Sequence, residues 1–239
     1  SSVSSAGDVD GDGLDDILIG AWGNDDGGWG AGKTYLIFGS SLGVSSTTNL
    51  LVSDYSFIGE GAEDYAGSSV SSAGDVDGDS LDDIIIGAYG SDYGRVDAGK
   101  AYIILGSSLG AGSIIDLSLA DYSFFGESPH NFAGSSVSSA GDADGDGFDD
   151  ILIGANYNSE GAMYAGKTYL IFGSSLGVSS TMDLSLSDHS FLGEDVNEMM
   201  GSSVSSAGDV DGDGLDDILM GAYGGVVGRA ALFKACPVP

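Results

Sequence analysis

Four loops of this chain carry aspartates at a spacing that suits a hard cation. The first is Asp8-x-Asp10-x-Asp12-Gly13-Leu14-x-Asp16. Its carboxylates stand at positions 1, 3, 5 and 9 of a tight loop and are expected to converge on one point. The backbone carbonyl of Leu14, at position 7, adds a further oxygen. Many oxygen ligands on a flexible loop suit Ca²⁺, whereas Mg²⁺ wants a smaller octahedron and soft metals want Cys or His. The equivalent sets are Asp75, Asp77, Asp79, Leu81 and Asp83; Asp142, Asp144, Asp146, Phe148 and Asp150; and Asp209, Asp211, Asp213, Leu215 and Asp217. Up to four Ca²⁺ per chain are expected. Position 8 is also aspartate in every loop (Asp15, Asp82, Asp149, Asp216) and is expected to point outward, behind the ligands or into solvent.

One loop departs from the pattern. Position 6 is Ser80 in the second loop, where the others have Gly13, Gly147 and Gly214. A positive φ there costs a non-glycine residue about 1 kcal/mol, so the second site is expected to bind more weakly. A metal-free Asx-turn explains one such loop; four in-register copies argue for metal. An EF-hand needs flanking helices and Glu at its twelfth position. Ile19 stands there, between strand-like flanks.

Charge agrees with this reading. The net charge is -31, and these loops hold 20 of the 37 acidic residues. Such a surface repels nucleic acid and anionic membranes and attracts cations. No apolar run approaches the roughly 20 residues of a membrane helix, so no membrane insertion is expected. The one cysteine, Cys236, excludes an internal disulfide framework. The chain opens inside a repeat, so any targeting signal is expected outside it.

The loops sit in a repeat, and the repeat implies the fold. The segment from Gly7 to Ala21 recurs from Gly74, Gly141 and Gly208, an offset of 67 each time. Units run 7–73, 74–140 and 141–207, with a partial fourth at 208–239. Each reads as four short strands: a small-residue run (68–73), an apolar run (83–88), an aromatic-rich run (100–106) and a second aromatic run (121–126). No stretch has a helical apolar stripe. Four antiparallel strands per repeat make a propeller blade, with small residues on the innermost strand where space is tightest. The expectation is an all-β propeller, 1–239 forming one propeller or half-propeller domain.

In these motifs the sequence resembles the FG-GAP repeats of the integrin α-subunit propeller and its bacterial relatives. The matching residues are Phe57-Ile58-Gly59, Gly67-Ser68-Ser69-Val70, Gly74-Asp75-Val76-Asp77-Gly78-Asp79 and Asp83-Ile84-Ile85-Ile86-Gly87-Ala88. The family's Gly-Ala-Pro ending stands here as Gly-Ala followed by Trp22, Tyr89 or Asn156. The resemblance implies a seven-bladed propeller, calcium in the loops of the lower face, and ligand recognition on the opposite face. It implies no particular ligand.

Internal comparison points to the same opposite face. The repeats differ most in the loops joining strands two and three and in the connection to the next blade, which emerge at one end. Candidate ligand-face residues there are Trp22, Asp25, Asp26, Trp29, Glu63, Tyr65, Asp92, Tyr93, Arg95, Asp97, His130, Asn131, Tyr157, Glu160, Asp195 and Glu198. Function concentrates on loops over rigid scaffolds, although unconstrained loops also diverge. These groups suit a protein or carbohydrate ligand. The alternative is a metal-dependent hydrolase of phosphate esters, triesters included, or related esters, with His130, Asp92 and Glu63 as candidate catalytic groups. A purely architectural repeat is the third reading. Glu60, Glu127 and Glu194 recur in register and read as structural, and so does His189, which replaces the tyrosine of Tyr55 and Tyr122.

At 67 residues per unit the 239 residues make about 3.6 blades, and two copies about 7.1. A homodimer completing a seven-bladed ring is therefore expected; the alternative, compatible with it, is a truncated piece of a longer protein. So is an extracellular or cell-surface location, where calcium is plentiful. After Gly224 the repeat decays. Gly228, Arg229, Lys234 and Ala235 align with Gly94, Arg95, Lys100 and Ala101. Pro237 and Pro239 are expected to stop a full third strand.

Overall fold

A computed structural model describes residues 1–43, 47, 49–110, 112–177, 179–225 and 228–235. Runs rich in Ile, Leu, Val and Tyr, broken by Gly, Ser and Asp, form seventeen strands among the described residues. The first sheet holds β1 (Ser2–Gly7), β2 (Asp16–Ala21), β3 (Lys33–Ile37) and β4 (Tyr55–Ile58). The second holds β5 (Ser69–Gly74), β6 (Asp83–Ala88), β7 (Lys100–Ile104) and, after the short β8 (Ile114–Asp116), β9 (Tyr122–Phe125). The third holds β10 (Ala133–Gly141), β11 (Asp150–Ala155), β12 (Lys167–Ile171) and, after β13 (Thr181–Asp183), β14 (His189–Leu192). The fourth holds β15 (Met200–Gly208), β16 (Asp217–Ala222) and β17 (Arg229–Phe233). This is the all-β blade architecture of a propeller.

The four-strand description of a blade is incomplete. β8 pairs in parallel with β4 of the preceding blade, and β13 pairs in parallel with β9. The outer strands β4 and β9 thereby find backbone partners in the following repeat, which satisfies groups an edge leaves unpaired. Three residues are too few to read as a strand from sequence.

The fourth blade corrects a second expectation. A full third strand does form: β17 pairs with β16 over five residues, from Ile218↔Phe233 to Ala222↔Arg229. In the second blade Ala88 faces Lys100. Arg229 therefore takes the place of Lys100, not of Arg95, because the connection before it is shorter. Ala235 N–H donates to Asp217 Oδ1 at 3.0 Å, as Gly106 N–H does to Asp83 Oδ1 at 2.9 Å. The strand is complete before the prolines are reached. Cys236, Pro237 and Pro239 lie outside the described residues.

The core lies between blades. One cluster joins Leu18, Leu36 and Phe57 of the first sheet to Ile84, Ile86 and Tyr102 of the second. A second joins Ile85, Ile103 and Phe124 to Ile151, Ile153 and Tyr169. A third joins Leu152 and Leu170 to Val204, Ile218 and Met220. The first strands of successive sheets touch one another, β1 to β5, β5 to β10 and β10 to β15, so the small-residue strands meet at the axis. Close approach is built in: a Cβ on Gly87 would stand 2.1 Å from the Gly134 carbonyl oxygen.

Candidate functional site

The connection between the first two strands of each blade gathers carboxylates. Asp8, Asp10 and Asp16 bring one oxygen each to within 4.8 Å of one another, and so do Asp75, Asp77 and Asp83; Asp142, Asp144 and Asp150; and Asp209, Asp211 and Asp217. Positions 1, 3 and 9 therefore converge. The position-5 carboxylates, like those of positions 1 and 3, also brace the turn: Asp12 Oδ1 accepts from Leu14 N–H at 2.9 Å, and Asp79, Asp146 and Asp213 do the same for Leu81, Phe148 and Leu215.

The position-9 residues are the buried anchors. Asp83 accepts from Val76 N–H and Gly106 N–H, both at 2.9 Å, and Asp150 from Ala143 and Gly173. Burial, opposed in part by those two hydrogen bonds, pushes the carboxyls of Asp83 and Asp150 up to about 7. Asp16 is raised too, chiefly by burial. Neighbouring aspartates add to the rise, which is what a cation at the cluster reverses. The donor set fits a hard cation: Asp8 Oδ1 is buried with no hydrogen-bond partner, an acceptor the protein itself leaves unsatisfied. Ser80 has φ 71, against 87, 92 and 93 for Gly13, Gly147 and Gly214, so the strain read from sequence is present.

The position-8 aspartates do not point away from the fold. Asp82 Oδ2 accepts from Asp8 N–H at 2.8 Å, Asp149 Oδ2 from Asp75 N–H at 2.9 Å, and Asp216 Oδ2 from Asp142 N–H at 3.2 Å. Each reaches the acidic loop of the preceding blade and ties two loops together. Asp15 has no such loop beside it among the described residues and is exposed. The contact joins residues 74 apart along the chain, so no single loop's sequence shows it.

At the other end of the sheets, the two variable loops of each of the first three blades are hydrogen-bonded to each other. Glu63 N–H donates to Trp29 O at 2.8 Å, His130 N–H to Val96 O at 2.9 Å and Asn197 N–H to Met163 O at 2.8 Å. Eight non-glycine residues there have positive φ, among them Glu63, Tyr65, Asp97, His130 and Phe132. Such strain is characteristic of functional loops.

Several candidate ligand-face residues are ties within this structure. Arg95 pairs with Asp183 at 3.1 Å. Asn131 and Glu198 are buried, and Glu198 Oε2 accepts from the N–H groups of Glu194 and Asp195. Asp25 Oδ1 accepts from Gly30 N–H, and Asp26 pairs with Lys33 at 2.8 Å. Tyr93 packs on Phe125 and beneath Lys100. Glu160 pairs with Lys167 at 2.6 Å, and Asp195 with Arg229 at 3.1 Å. The recurring glutamates join blades: Glu60 holds the largely buried Lys100 at 2.6 Å, and Glu127 holds Lys167 at 2.9 Å. His189 stacks edge-on against Phe172, as Tyr55 does against Phe38. His130 Nδ1 lies 3.0 Å from Asp97 Oδ2, and Asp92 Oδ1 accepts from Asp97 N–H at 2.8 Å. Glu63 occupies the loop equivalent to that of His130 one blade earlier.

Other aromatics form a continuous arc. Trp22 meets Tyr65 at 5.7 Å, Tyr65 meets Tyr89 at 5.2 Å, and Tyr89 meets Phe132 at 5.9 Å. Phe132 meets Tyr157 at 5.2 Å, and Tyr157 meets Tyr164 at 5.3 Å. A cavity of about 450 Å³ lies along it, lined by Trp22, Tyr89, Phe132, Tyr157, Asn156 and the serines that precede or open the axial strands, Ser1, Ser68 and Ser135. Asn156 Oδ1 is buried there without a hydrogen-bond partner. Sequence reasoning missed Tyr89, Phe132, Asn156 and Tyr164. The recurrence of Trp22, Tyr89 and Asn156 at one repeat position was the signal available.

The FG-GAP repeat profile matches residues 66–104, 133–171 and 200–233. The chain is 30% identical to integrin alpha pat-2 of Caenorhabditis elegans over 98% of its own length and 18% of that protein's. It is 31% identical to integrin alpha-V of Gallus gallus over 98% of its length and 21% of that protein's, and 31% identical to integrin alpha-IIb of Homo sapiens over 75% and 17%. It thus spans about a fifth of the length of these relatives. The three matched repeats fall on successive sheets of the all-β fold, and the chain belongs to the FG-GAP repeat family of β-propellers.

Proposed function

We propose that this chain is a calcium-stabilised binding module that takes a protein or glycan ligand on its variable-loop face. The aromatic arc from Trp22 to Tyr164, with its cavity of about 450 Å³, carries this reading. Aromatic faces with a few convergent polar groups are how proteins bind sugar rings and peptide side chains. The interlocked loops hold those rings at fixed positions, so little ordering is left to be done on binding. Calcium is assigned to the four loops, held by the carboxylates at positions 1, 3, 5 and 9, the position-7 carbonyls completing the oxygen set. Its role is structural. The wide affinity range of such loops suits the extracellular or cell-surface setting, where calcium is millimolar. Among the described residues no helix is long and apolar enough to cross a membrane. The assembly part of the proposal is that two copies complete a ring.

The test is a glycan array together with a panel of cell-surface protein ectodomains, probed in millimolar calcium. Binding lost in a Tyr89→Ala, Tyr157→Ala double variant with an unchanged melting curve is the expected result. Binding that survives this variant overturns the assignment of the face. Excess chelator is expected to lower the melting temperature, and an unchanged curve removes the structural role of calcium.

A further inference from the structure

At the variable-loop end, two of the three junctions between blades are closed by a backbone hydrogen bond. Gly90 N–H donates to Asp64 O at 3.2 Å, and Gly224 N–H donates to Glu198 O at 2.9 Å. Both junctions need glycine. A Cβ on Gly90 would stand 2.2 Å from Glu63 O, and one on Gly224 would stand 1.8 Å from Asn197 O. Between the second and third blades the same repeat positions hold Tyr157 and Asn131. A side chain does not fit the closed arrangement, and among the described residues no hydrogen bond joins Tyr157 N–H to Asn131 O. This junction stands open, and a cavity of about 720 Å³ occupies it.

The repeat changes at two further places in the cavity wall. Tyr164 stands where the preceding blade has Asp97, and Asn131 stands where the other connections have Asp64 and Glu198. Those two carboxylates are consumed by their own loops. Asp64 Oδ2 accepts from Gly61 N–H at 3.0 Å, and Glu198 Oε2 accepts from Glu194 and Asp195 N–H at 2.8 and 3.0 Å. Asn131 also lines the cavity and is 3% exposed, but its Nδ2 has no hydrogen-bond partner. A buried donor left unpaired is costly and calls for an acceptor from outside the chain. The last torsion of asparagine is soft, so the amide can turn to meet one.

The wall selects the chemistry of that acceptor. An ammonium or guanidinium group carries donors only and leaves Asn131 Nδ2 unmet. An anion meets the carboxylates of Glu127 and Glu160 on a chain of net charge -31. A neutral group that both donates and accepts suits every wall. Lys167 engages Oε1 of Glu127 at 2.9 Å and Oε2 of Glu160 at 2.6 Å, and the second oxygen of each can accept from a hydroxyl. His130 Nδ1 is turned to Asp97, which leaves Nε2 for a ligand. Tyr157 and Tyr164, with ring centroids 5.3 Å apart, offer apolar faces. Hydroxyls around a ring with an apolar face are the chemistry of a sugar.

We propose that the open junction between the second and third blades is a carbohydrate pocket, separate from the cavity along the aromatic arc, that takes a neutral sugar unit of a glycan. Asn131 Nδ2 donates to a sugar oxygen, Glu127 and Glu160 accept from hydroxyls, and the two tyrosines hold the ring. Tyr157 lines both cavities, so one glycan chain can pass from one to the other across it. This inference rests on the reading of the variable-loop face as a binding face, and it names a site and a ligand class there.

The test applies the full chain, in millimolar calcium, to an array of neutral oligosaccharides, their sialylated and sulfated counterparts, and peptides rich in lysine and arginine. Asn131→Asp and Tyr164→Asp each copy the residue that stands one blade earlier, and melting curves verify their folds. Neutral glycans are expected to bind, and each variant is expected to weaken them by about tenfold or more, as loss of a buried contact does. Binding that both variants keep, but that the Tyr89→Ala, Tyr157→Ala double variant loses, overturns this pocket and upholds the binding face. Binding indifferent to all three variants overturns both. An array on which no neutral glycan binds, or on which acidic glycans or basic peptides bind better, overturns the sugar assignment. A protein ectodomain that the wild-type chain binds and the double variant does not then leaves the binding module standing.

Discussion

Residues 16–21 and 150–155 have the same sequence, Asp-Ile-Leu-Ile-Gly-Ala, and different surroundings. In the third blade every one of the six is buried, whereas in the first blade they alternate between buried and half-exposed. The strands beside them, both Lys-Thr-Tyr-Leu-Ile, differ in the same way. The reason lies outside the strands. The third blade has a blade packed on each face, and the first has one. Identical residues therefore carry different stability, and what a side chain contributes here is set by the neighbouring repeat.

Mutation of matched residues tests that comparison most severely. Ile153, fully buried, and Ile19, half-exposed, occupy equivalent positions. Ile153→Ala is expected to cost about 2–5 kcal/mol in chemical denaturation. Ile19→Ala is expected to cost a fraction of that, measured at concentrations where copies do not associate. Equal costs break the comparison.

The inter-blade aspartates come next. Asp149→Ala leaves Asp75 N–H without its acceptor and is expected to cost about 1–3 kcal/mol. Asp15→Ala, with the same side chain removed from an exposed position, is expected to leave the isolated chain unchanged. Melting both variants side by side reads the difference.

A pH series sharpens the contrast between metal-free and metal-loaded loops. Asp83 and Asp150 are raised to about 7 by burial. A carboxyl raised on folding favours the fold while protonated, so its stabilisation is lost as pH rises from about 4, the unfolded value, through about 7. The calcium-free chain is expected to melt a few degrees lower at pH 8 than at pH 5. Calcium is expected to reverse this slope, since ligands must be ionised to bind. A metal-free melting temperature that rises with pH contradicts the burial of these groups.

The smallest effect belongs to the one loop with a serine at position 6. Ser80→Gly relieves φ 71, and is expected to add up to about 1 kcal/mol and to tighten calcium binding at the second loop. Isothermal titration compared with the parent chain reads both.

Much of this molecule was legible in its residues. The 67-residue period, the strand runs and the Asp-x-Asp-x-Asp loops are local patterns, and local patterns carry blade number, strand type and the converging carboxylates of positions 1, 3 and 9. The positive φ at Ser80 was legible because its equivalents are glycines. What was not legible depends on contacts between repeats. Asp82 and Asp15 are the same letter in the same motif, yet one clasps a neighbouring loop and the other faces solvent. β8 is three residues whose strand character exists only because β4 lies beside it. The register of Arg229 follows from a shortened loop, which an ungapped repeat alignment misplaces. The aromatic arc joins residues from three repeats that are far apart along the chain. The sequence by itself determined the repeating unit and the chemistry of its loops, because both depend on neighbours within a few residues. Only the tertiary structure decided which copies of a residue are buried, clasped or left exposed, because that depends on whether another blade packs against them.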